Sequence, residues 1–386
     1  MMDFEALAAH LDSADVATRR SAEEEASKLQ YETLSVEDSR KLLIAALRVE
    51  SPKGRSFLAT AACADHALVD EFERLFAAGH PWPQASILQK LSAAGARDAL
   101  LRCLPDFHPT ATLSSVRIFG NPSGIADFAE EIFELKVDPL LDVPVCELGA
   151  DLGLRGLLRE KSRAAFSRKL EGVLRARLPE LEAVQCDQPF FWWNRSGYSD
   201  RASELTTLLQ TATYAAFGSL GALVGRALDF QDPYVRWAAV KTFFALGHSP
   251  GDPTLAKTAS FSATRYELVA FLKERHLDRL QSEWVEPASF AEAHLANWLS
   301  SPWEMERAPS EIQLREHRIS EGRHVFVFRY AYTEERWSGS RDPQIALIGP
   351  YDFANGIGPT APVLLGTETA IDLAATEAAI GGMFRQ

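Results

Sequence analysis

Apolar residues recur at steps of three and four along most of the first 300 residues, which is the spacing of one face of an α-helix. In the segment 16–30, Val16, Ala22, Ala26 and Leu29 fall on one such stripe, and the acids between them point away from it. The same spacing predicts further helices over 3–11, 36–48 and 55–76. The pattern therefore predicts a mainly α-helical region.

The spacing changes to strict alternation, which is typical of a β-strand, after about residue 303. Over 324–333, one face carries His, Phe and Tyr, and the other carries mostly smaller residues. Further strands are predicted over 312–319 and 344–348, and a final helix over 369–384. We expect a small antiparallel β-meander. Its aromatic face must be covered, either by the final helix or by the last helices of the preceding region.

Turn residues and the change of spacing set the expected domain boundary. The segment 349–358 is rich in Gly, Pro and Asn, so it is predicted to be a loop. The sequence predicts a helical domain over 1–302 and a small α+β domain over 303–386, the latter made of the β-meander and the terminal helix.

One helical segment carries a pattern with several specific positions. Residues 228–247 read LDFQDPYVRWAAVKTFFALG. In this segment Asp232 suits a helix N-cap and Pro233 suits the first helical position, while Arg236 lies beside the apolar stripe. A weaker copy over 15–29 repeats the same offsets, and a poorer one lies over 52–65.

The segment 228–247 resembles a HEAT repeat, and the weaker copies extend that resemblance along the helical region. The resemblance implies an α-solenoid of HEAT-like helical pairs, in which aspartate and arginine side chains pair in a ladder between repeats. The residues expected in this structural ladder are Asp15, Arg19, Asp232 and Arg236. A compact all-α domain with a chance DPxVR segment is the alternative.

The charge balance bears on the class of partner. The chain of 386 residues has 40 basic and 53 acidic side chains, a formal net charge of −13. A phosphate backbone repels such a chain unless a local basic stripe overrides the total. The one basic stretch, 155–177, could bind phosphates or an acidic partner, or it could be a solvated helix face. Nucleic acid is the minority interpretation.

No motif for catalysis or for metal or cofactor binding stands out. The nine histidines include no HExxH, and the four cysteines form no CxxC pair. His317 and His324 could meet on adjacent strands, but no third metal ligand is evident. We expect no cofactor and no metal. The scattered cysteines, with no secretory signal and no apolar stretch of spanning length, are typical of a cytoplasmic, bacterial protein without a membrane segment.

The most unusual local sequence is PFFWWNRSGY over 189–198. Four consecutive aromatic residues cannot all face one core. They either fill the space between repeats or form an exposed anchor of the kind that dominates binding hot spots. The residues predicted as binding contacts are Phe190, Phe191, Trp192, Trp193 and Arg195.

Three functional hypotheses follow. The first is a non-catalytic, protein-binding solenoid, whose acidity suits an inhibitor or immunity-type protein that masks a basic partner. The second is an enzyme or binder that acts on nucleic acid or a flat ligand in a concave groove. The third is a structural subunit of a larger assembly.

Overall fold

The computed structural model describes residues 3–110, 118–184, 197–216, 218, 220–300, 309–332, 342–355, 361–371 and 373–385. The predicted fold class is confirmed at the level of its elements, because the described residues are mainly helical with one small antiparallel sheet near the C-terminus.

The helices are numbered in chain order. They are α1 (Phe4–Leu11), α2 (Val16–Leu29), α3 (Val36–Ala46), α4 (Pro52–Ala61), α5 (Val69–Ala77), α6 (Pro81–Ala94), α7 (Arg97–Cys103), α8 (Pro122–Ile125), α9 (Ala129–Glu134), α10 (Asp142–Leu154), α11 (Glu160–Glu182), α12 (Tyr198–Thr211), α13 (Leu220–Ala227), α14 (Pro233–Ala245), α15 (Asp252–Ala259), α16 (Ser262–Arg275), α17 (Pro287–Leu299) and α18 (Leu373–Phe384).

Helix starts follow the local sequence closely. Ser35 caps α3 and accepts a hydrogen bond from the Asp38 N–H at 3.1 Å. Asp3 caps α1 in the same way, and Asp232 accepts hydrogen bonds from the first two available N–H groups of α14. The predicted cap at Asp232 and Pro233 in the first turn are therefore confirmed.

The predicted single helix over 55–76 is wrong, because α4 ends at Ala61 and α5 begins at Val69. Between them, the Cys63 N–H donates to Ser39 Oγ at 3.0 Å and the Asp65 carboxylate accepts from the Ala67 N–H at 2.8 Å. These side chains supply hydrogen bonds that compete with those of a continuous helix. The apolar spacing continues between α4 and α5, which is why the sequence predicted one helix. The side-chain hydrogen bonds of Ser39 and Asp65 favour the interruption of the helix.

The chain divides into two compact units. Unit 1 comprises Met1–Glu180 and Ser203–Leu223, and unit 2 comprises Leu181–Ala202 and Val224–Gln386. In unit 1, every helix from α1 to α6 contacts the helix two positions further along the chain. Each helix is thus packed mainly by its near neighbours in sequence. In unit 2, α14 contacts α15 and α16, and α16 contacts α17.

Ion pairs join alternate helices of unit 1 in series, from α3 through α5, α7 and α9 to α11. Each pair uses one arginine and one glutamate, and the side chains are partly or largely exposed except for that of Glu71. The pairs are Arg40–Glu71 at 3.0 Å, Arg102–Glu73 at 2.8 Å, Arg97–Glu131 at 2.5 Å and Arg168–Glu134 at 2.8 Å. A single exposed ion pair adds little stability. What the four pairs indicate is a regular arrangement, because the same type of contact recurs between successive alternate helices.

The sheet of unit 2 is an antiparallel meander in the order β1-β2-β3-β4. The strands are β1 (Glu311–Ser320), β2 (Arg323–Ala331), β3 (Gln344–Tyr351) and β4 (Val363–Thr367). The first three confirm the strands expected from the sequence. The fourth was not expected, because it is only five residues long and lacks the clean alternation of β2.

Both faces of the sheet are covered, each by a different helix. The aromatic face, with Phe326, Phe328 and Tyr330, packs against α17, which contributes Leu295 and other apolar residues. The opposite face packs against α18. Its core consists of Val325, Val327, Ile345, Leu347, Ile380 and Met383. Of the two covers considered for the aromatic face, the last helix before the sheet is the one used. The terminal helix covers the opposite face instead, so three layers share two cores.

The predicted loop beginning at Gly349 is partly wrong, because Gly349, Pro350 and Tyr351 belong to β3. A Cβ at Gly349, whose φ is +137°, would lie 2.6 Å from the His324 carbonyl oxygen. Glycine is therefore required here by the close approach of β2, although a Gly-Pro pair is typical of a turn.

Candidate functional site

The residues predicted as binding contacts, Phe190, Phe191, Trp192, Trp193 and Arg195, lie outside the described residues. Their role stays a prediction. The described residues instead present four places with unusual chemistry: the arginines at helix N-termini, the basic helix, the histidine pair and a polar cluster between α4 and α6.

Three arginines make the same local contact. Each lies four residues after a helix N-cap and donates to the carbonyl oxygen six residues earlier, which ties the helix start to the turn before it. These contacts are Arg19 to Ser13 at 3.1 Å, Arg55 to Val49, and Arg236 to Phe230 at 2.7 Å. The three sequence copies therefore share one local structure.

Arg236 is the most buried of these arginines, with 3% exposure. Besides Phe230, it donates to the carbonyl oxygens of Gln231 at 3.2 Å and Lys257 at 2.9 Å. These three hydrogen bonds all go to the main chain, and the Asp/Arg ladder between repeats stays a prediction. Burial lowers the pKa of Arg236 to about 10, against the attraction of Asp232.

Asp232 is buried beside this arginine, with 1% exposure. Its carboxylate accepts from the Tyr198 hydroxyl at 2.7 Å and from the N–H groups of Tyr234 and Val235. Burial raises its pKa, while these hydrogen bonds and Arg236 oppose the rise. The partners of Asp232 cap the start of α14 or connect it to α12, so we assign these contacts to folding and not to a reaction.

The cations of the basic stretch 155–177 are largely neutralised within unit 1. Five of its eight lysines and arginines form ion pairs: Arg159–Asp127, Arg168–Glu134, Lys169–Asp142, Arg175–Glu171 and Arg177–Glu180. Paired cations contribute little positive potential to a distant phosphate. The pairing favours the solvated helix face over a phosphate-binding surface.

His317 on β1 and His324 on β2 meet as the sequence suggested. Their Nε2 and Nδ1 atoms are 3.0 Å apart, so one imidazole donates to the other and at least one of the two is neutral. Burial and the neighbouring His324 lower the pKa of His317. Among the described residues, no group of three or more His, Cys, Asp or Glu side chains is arranged to hold a metal ion.

The polar cluster lies between α4 and α6. Ser56 and Thr60, one turn apart on α4, both contact Ser86 of α6: the two serine Oγ atoms are 3.0 Å apart, and the Thr60 hydroxyl donates to Ser86 Oγ at 3.0 Å. Lys90 follows Ser86 by one turn on the same face of α6. We call Ser56, Thr60 and Ser86 the hydroxyl cluster.

Lys90 differs from the other partly buried lysines of the chain. Lys169 pairs with Asp142 at 2.8 Å and Lys241 with Glu267 at 3.7 Å, whereas no carboxylate of the described residues pairs with Lys90. Burial lowers the pKa of Lys90, and the nearby Cys63 thiol opposes the change. Among the described residues, Lys90 is therefore a partly buried lysine without a carboxylate partner.

Sequence reasoning did not find this cluster. Ser86 and Lys90 have the spacing of one helix face, but that spacing is common and carries no chemistry alone. The hydroxyls opposite them are 26 and 30 residues earlier in the chain, and only the packing of α4 on α6 brings them together.

Comparison with known proteins leaves the candidate site to be interpreted from its own geometry. No family model matches the chain, and neither a curated protein nor a solved structure matches it. In the part of the chain that the structure describes, no helix combines the length and apolar character needed to cross a membrane.

Proposed function

We propose that this chain is a non-catalytic, protein-binding α-solenoid of HEAT-like helical pairs that works in the cytoplasm and binds a basic protein. The observation that carries the proposal is the serial packing of unit 1, where α1 to α6 each contact the helix two positions further along. Helices stacked in this way expose long polar faces, which repeat proteins use to bind other proteins.

The local structure of the repeats supports the architectural part of the proposal. Arg55 and Arg236 each donate to a carbonyl six residues earlier and also to a carbonyl near the C-terminal end of the next α-helix, that of Ala78 and that of Lys257. In each of these two distant segments, one arginine side chain thus joins its own helix to the preceding turn and to the end of the next helix. Such recurrence is what a repeated helical pair requires.

The charge distribution supports the choice of partner. The formal net charge is −13, and most cations of the one basic stretch are already paired inside unit 1. The surplus charge available to a partner is therefore negative, and a basic protein surface is complementary to it. An inhibitor or immunity-type protein that masks a basic nuclease-like toxin would have this property.

The test is capture of a partner by the full chain, followed by binding measurements with the purified partner. Glu25, Asp70 and Asp106 are exposed acids that form no ion pair with the described residues. We expect the triple variant Glu25→Lys, Asp70→Lys and Asp106→Lys to bind the partner more weakly and with less dependence on salt.

The matched control keeps the charge and changes only the side-chain length, as Glu25→Asp, Asp70→Glu and Asp106→Glu. It should bind like the natural sequence. A captured partner with an acidic surface would contradict the proposal. So would equal affinity of both triple variants, or recovery of nucleic acid as the bound species.

A further inference from the structure

The contact between His317 and His324 depends on the protonation of both rings. The His317 Nε2 and His324 Nδ1 atoms are 3.0 Å apart, so one nitrogen donates its hydrogen and the other accepts through a lone pair. The ring centroids are 5.1 Å apart and the ring planes differ by 24°. The contact therefore requires that at least one of the two facing nitrogens has no proton.

His317 also covers part of the aromatic core of unit 2. Its ring is stacked on that of Phe326, with centroids 4.3 Å apart and planes within 10°. Phe326 has 0% exposure and belongs to the core between the sheet and α17. His317 is exposed and lies on β1, at one end of the strand order. The His317 ring is thus an outer layer over the Phe326 ring.

We propose that the His317–His324 pair is a pH-sensitive cover over Phe326. One added proton leaves the cover closed, because an imidazolium still donates to the neutral imidazole beside it. A second proton removes the accepting lone pair and places two positive charges in contact. His317 then leaves Phe326, and the aromatic ring becomes exposed to solvent.

The strands around the two histidines decide which ring moves. His324 lies on β2 with β1 on one side and β3 on the other, and the Gly349 backbone of β3 approaches its carbonyl oxygen closely. The His324 ring also meets the Phe353 ring edge-on, with centroids 5.1 Å apart. β1 pairs with β2 alone in this sheet, so His317 is the ring that is held less firmly.

The charged groups of the adjoining elements do not remove the repulsion between two imidazolium rings. Asp352, which follows β3, is near enough for His324 to lower its pKa, but its carboxylate is held by hydrogen bonds from Ala354 and Asn355. Glu321 is exposed in the turn between β1 and β2. The other charged or titratable groups have partners of their own: Glu311, Arg315, Glu316 and Arg318 on β1, Arg323 and Arg329 on β2, Glu292 and His294 on α17, Glu368 after β4, and Glu377 on α18.

The direction of the pH dependence follows from the same contacts. Partial burial and the charge of His324 lower the pKa of His317. Because this folded pKa lies below the unfolded value of about 6.5, the closed cover is stable above that pH and is lost as the pH falls through the folded pKa. The open fraction should rise about tenfold for each pH unit until the second proton is fully bound.

His276 provides a matched control within unit 2. Its ring is stacked on the Phe244 ring with centroids 4.2 Å apart, nearly the separation of His317 and Phe326. The described residues give His276 no second histidine at hydrogen-bond distance. A protonated His276 keeps its stack, because a cation over an aromatic face is favourable. Phe326 should therefore respond to acid, and Phe244 should not.

The experiment is NMR of the full chain with ¹⁵N-labelled histidine and ¹³C-labelled phenylalanine rings, between about pH 8 and about pH 4.5. A scalar coupling between His317 Nε2 and His324 Nδ1 reports the hydrogen bond, and broadening by a soluble paramagnetic agent reports the exposure of each ring. We expect the coupling to persist through the first protonation and to vanish with the second, at the pH where Phe326 broadens. Phe328, in the same core with 1% exposure, should stay protected.

His317→Phe separates the cover from its titration. Phenylalanine stacks on Phe326 but neither binds a proton nor forms a hydrogen bond with His324. We expect Phe326 of this variant to stay protected over the whole pH range. His276→Phe should leave the response of Phe326 unchanged.

Absence of the nitrogen–nitrogen coupling at neutral pH overturns the proposal, and so does a protected Phe326 once both histidines are protonated. Equal broadening of Phe326 and Phe244, or exposure of Phe328 together with Phe326, also overturns it, because acid would then loosen the unit as a whole. The measurement needs no protein partner, so its result is independent of the proposed function.

Discussion

Replacing Arg236 by methionine is predicted to weaken unit 2 strongly. Methionine fills a similar volume but cannot donate to the carbonyl oxygens of Phe230, Gln231 and Lys257, which are 2.7, 3.2 and 2.9 Å from the guanidinium. It also leaves the buried Asp232 without its neighbouring cation. An unsatisfied buried group costs about 1–3 kcal/mol, and the carbonyl oxygens of three residues lose a donor at once. We therefore expect a loss of about 3–5 kcal/mol.

Arg19→Met is the matched control, because Arg19 makes the same contact, to Ser13 at 3.1 Å, in a partly exposed setting. Water can solvate the carbonyl when the arginine is removed, so the loss should be about 1 kcal/mol or less. The two variants remove the same type of contact and differ mainly in how buried the arginine is, so the comparison isolates the effect of burial on stability.

Hydrogen exchange followed by mass spectrometry is the suitable assay, since it reports opening free energies for each unit separately. A single unfolding free energy is not well defined for a chain with two compact units. The Arg236→Met effect should appear in α14 and α15 and be small in α1 and α2. Losses that agree within about 1 kcal/mol for Arg236→Met and Arg19→Met would refute the reasoning, because burial would then not set the cost.

The remaining predictions concern packing and pH. Gly149→Ala should lower the opening free energy of unit 1 by about 1–3 kcal/mol, measured by hydrogen exchange in α10 and α11, since the new Cβ would lie 2.3 Å from the Phe166 ring. Gly172→Ala meets nothing within 4 Å on the exposed side of α11 and should stabilise it by up to about 1 kcal/mol; a loss there would contradict the packing argument. Burial lowers the pKa of His294, whose Nδ1 contacts the Tyr351 hydroxyl at 2.9 Å, so the folded state favours neutral imidazole. Its stabilising contribution is present above the unfolded pKa of about 6.5 and is lost as the pH falls through the lower folded pKa. His294→Gln should therefore reduce the fall in urea midpoint between about pH 7.5 and about pH 5, and an unchanged pH dependence would count against this origin.

Much of the local structure could be predicted from the sequence. The caps at Ser35 and Asp232, the alternation of β2 and the terminal helix all depend on residues close together in the chain, and the structure has them. The errors occurred where a distant segment of the chain made a close contact. Ser39 contributes to the break between α4 and α5, and the approach of His324 places Gly349 inside a strand.

The candidate site lay beyond prediction for the same reason. The contact of Ser56 with Ser86 joins residues 30 positions apart, and the pairing of Arg168 with Glu134 joins residues 34 positions apart. Hydrophobic period and capping are short-range properties, so the chain alone determined the helices, the sheet and the net charge. Tertiary packing alone decided which charges are neutralised and which donors stay available, because both depend on distances between elements and on exclusion of water.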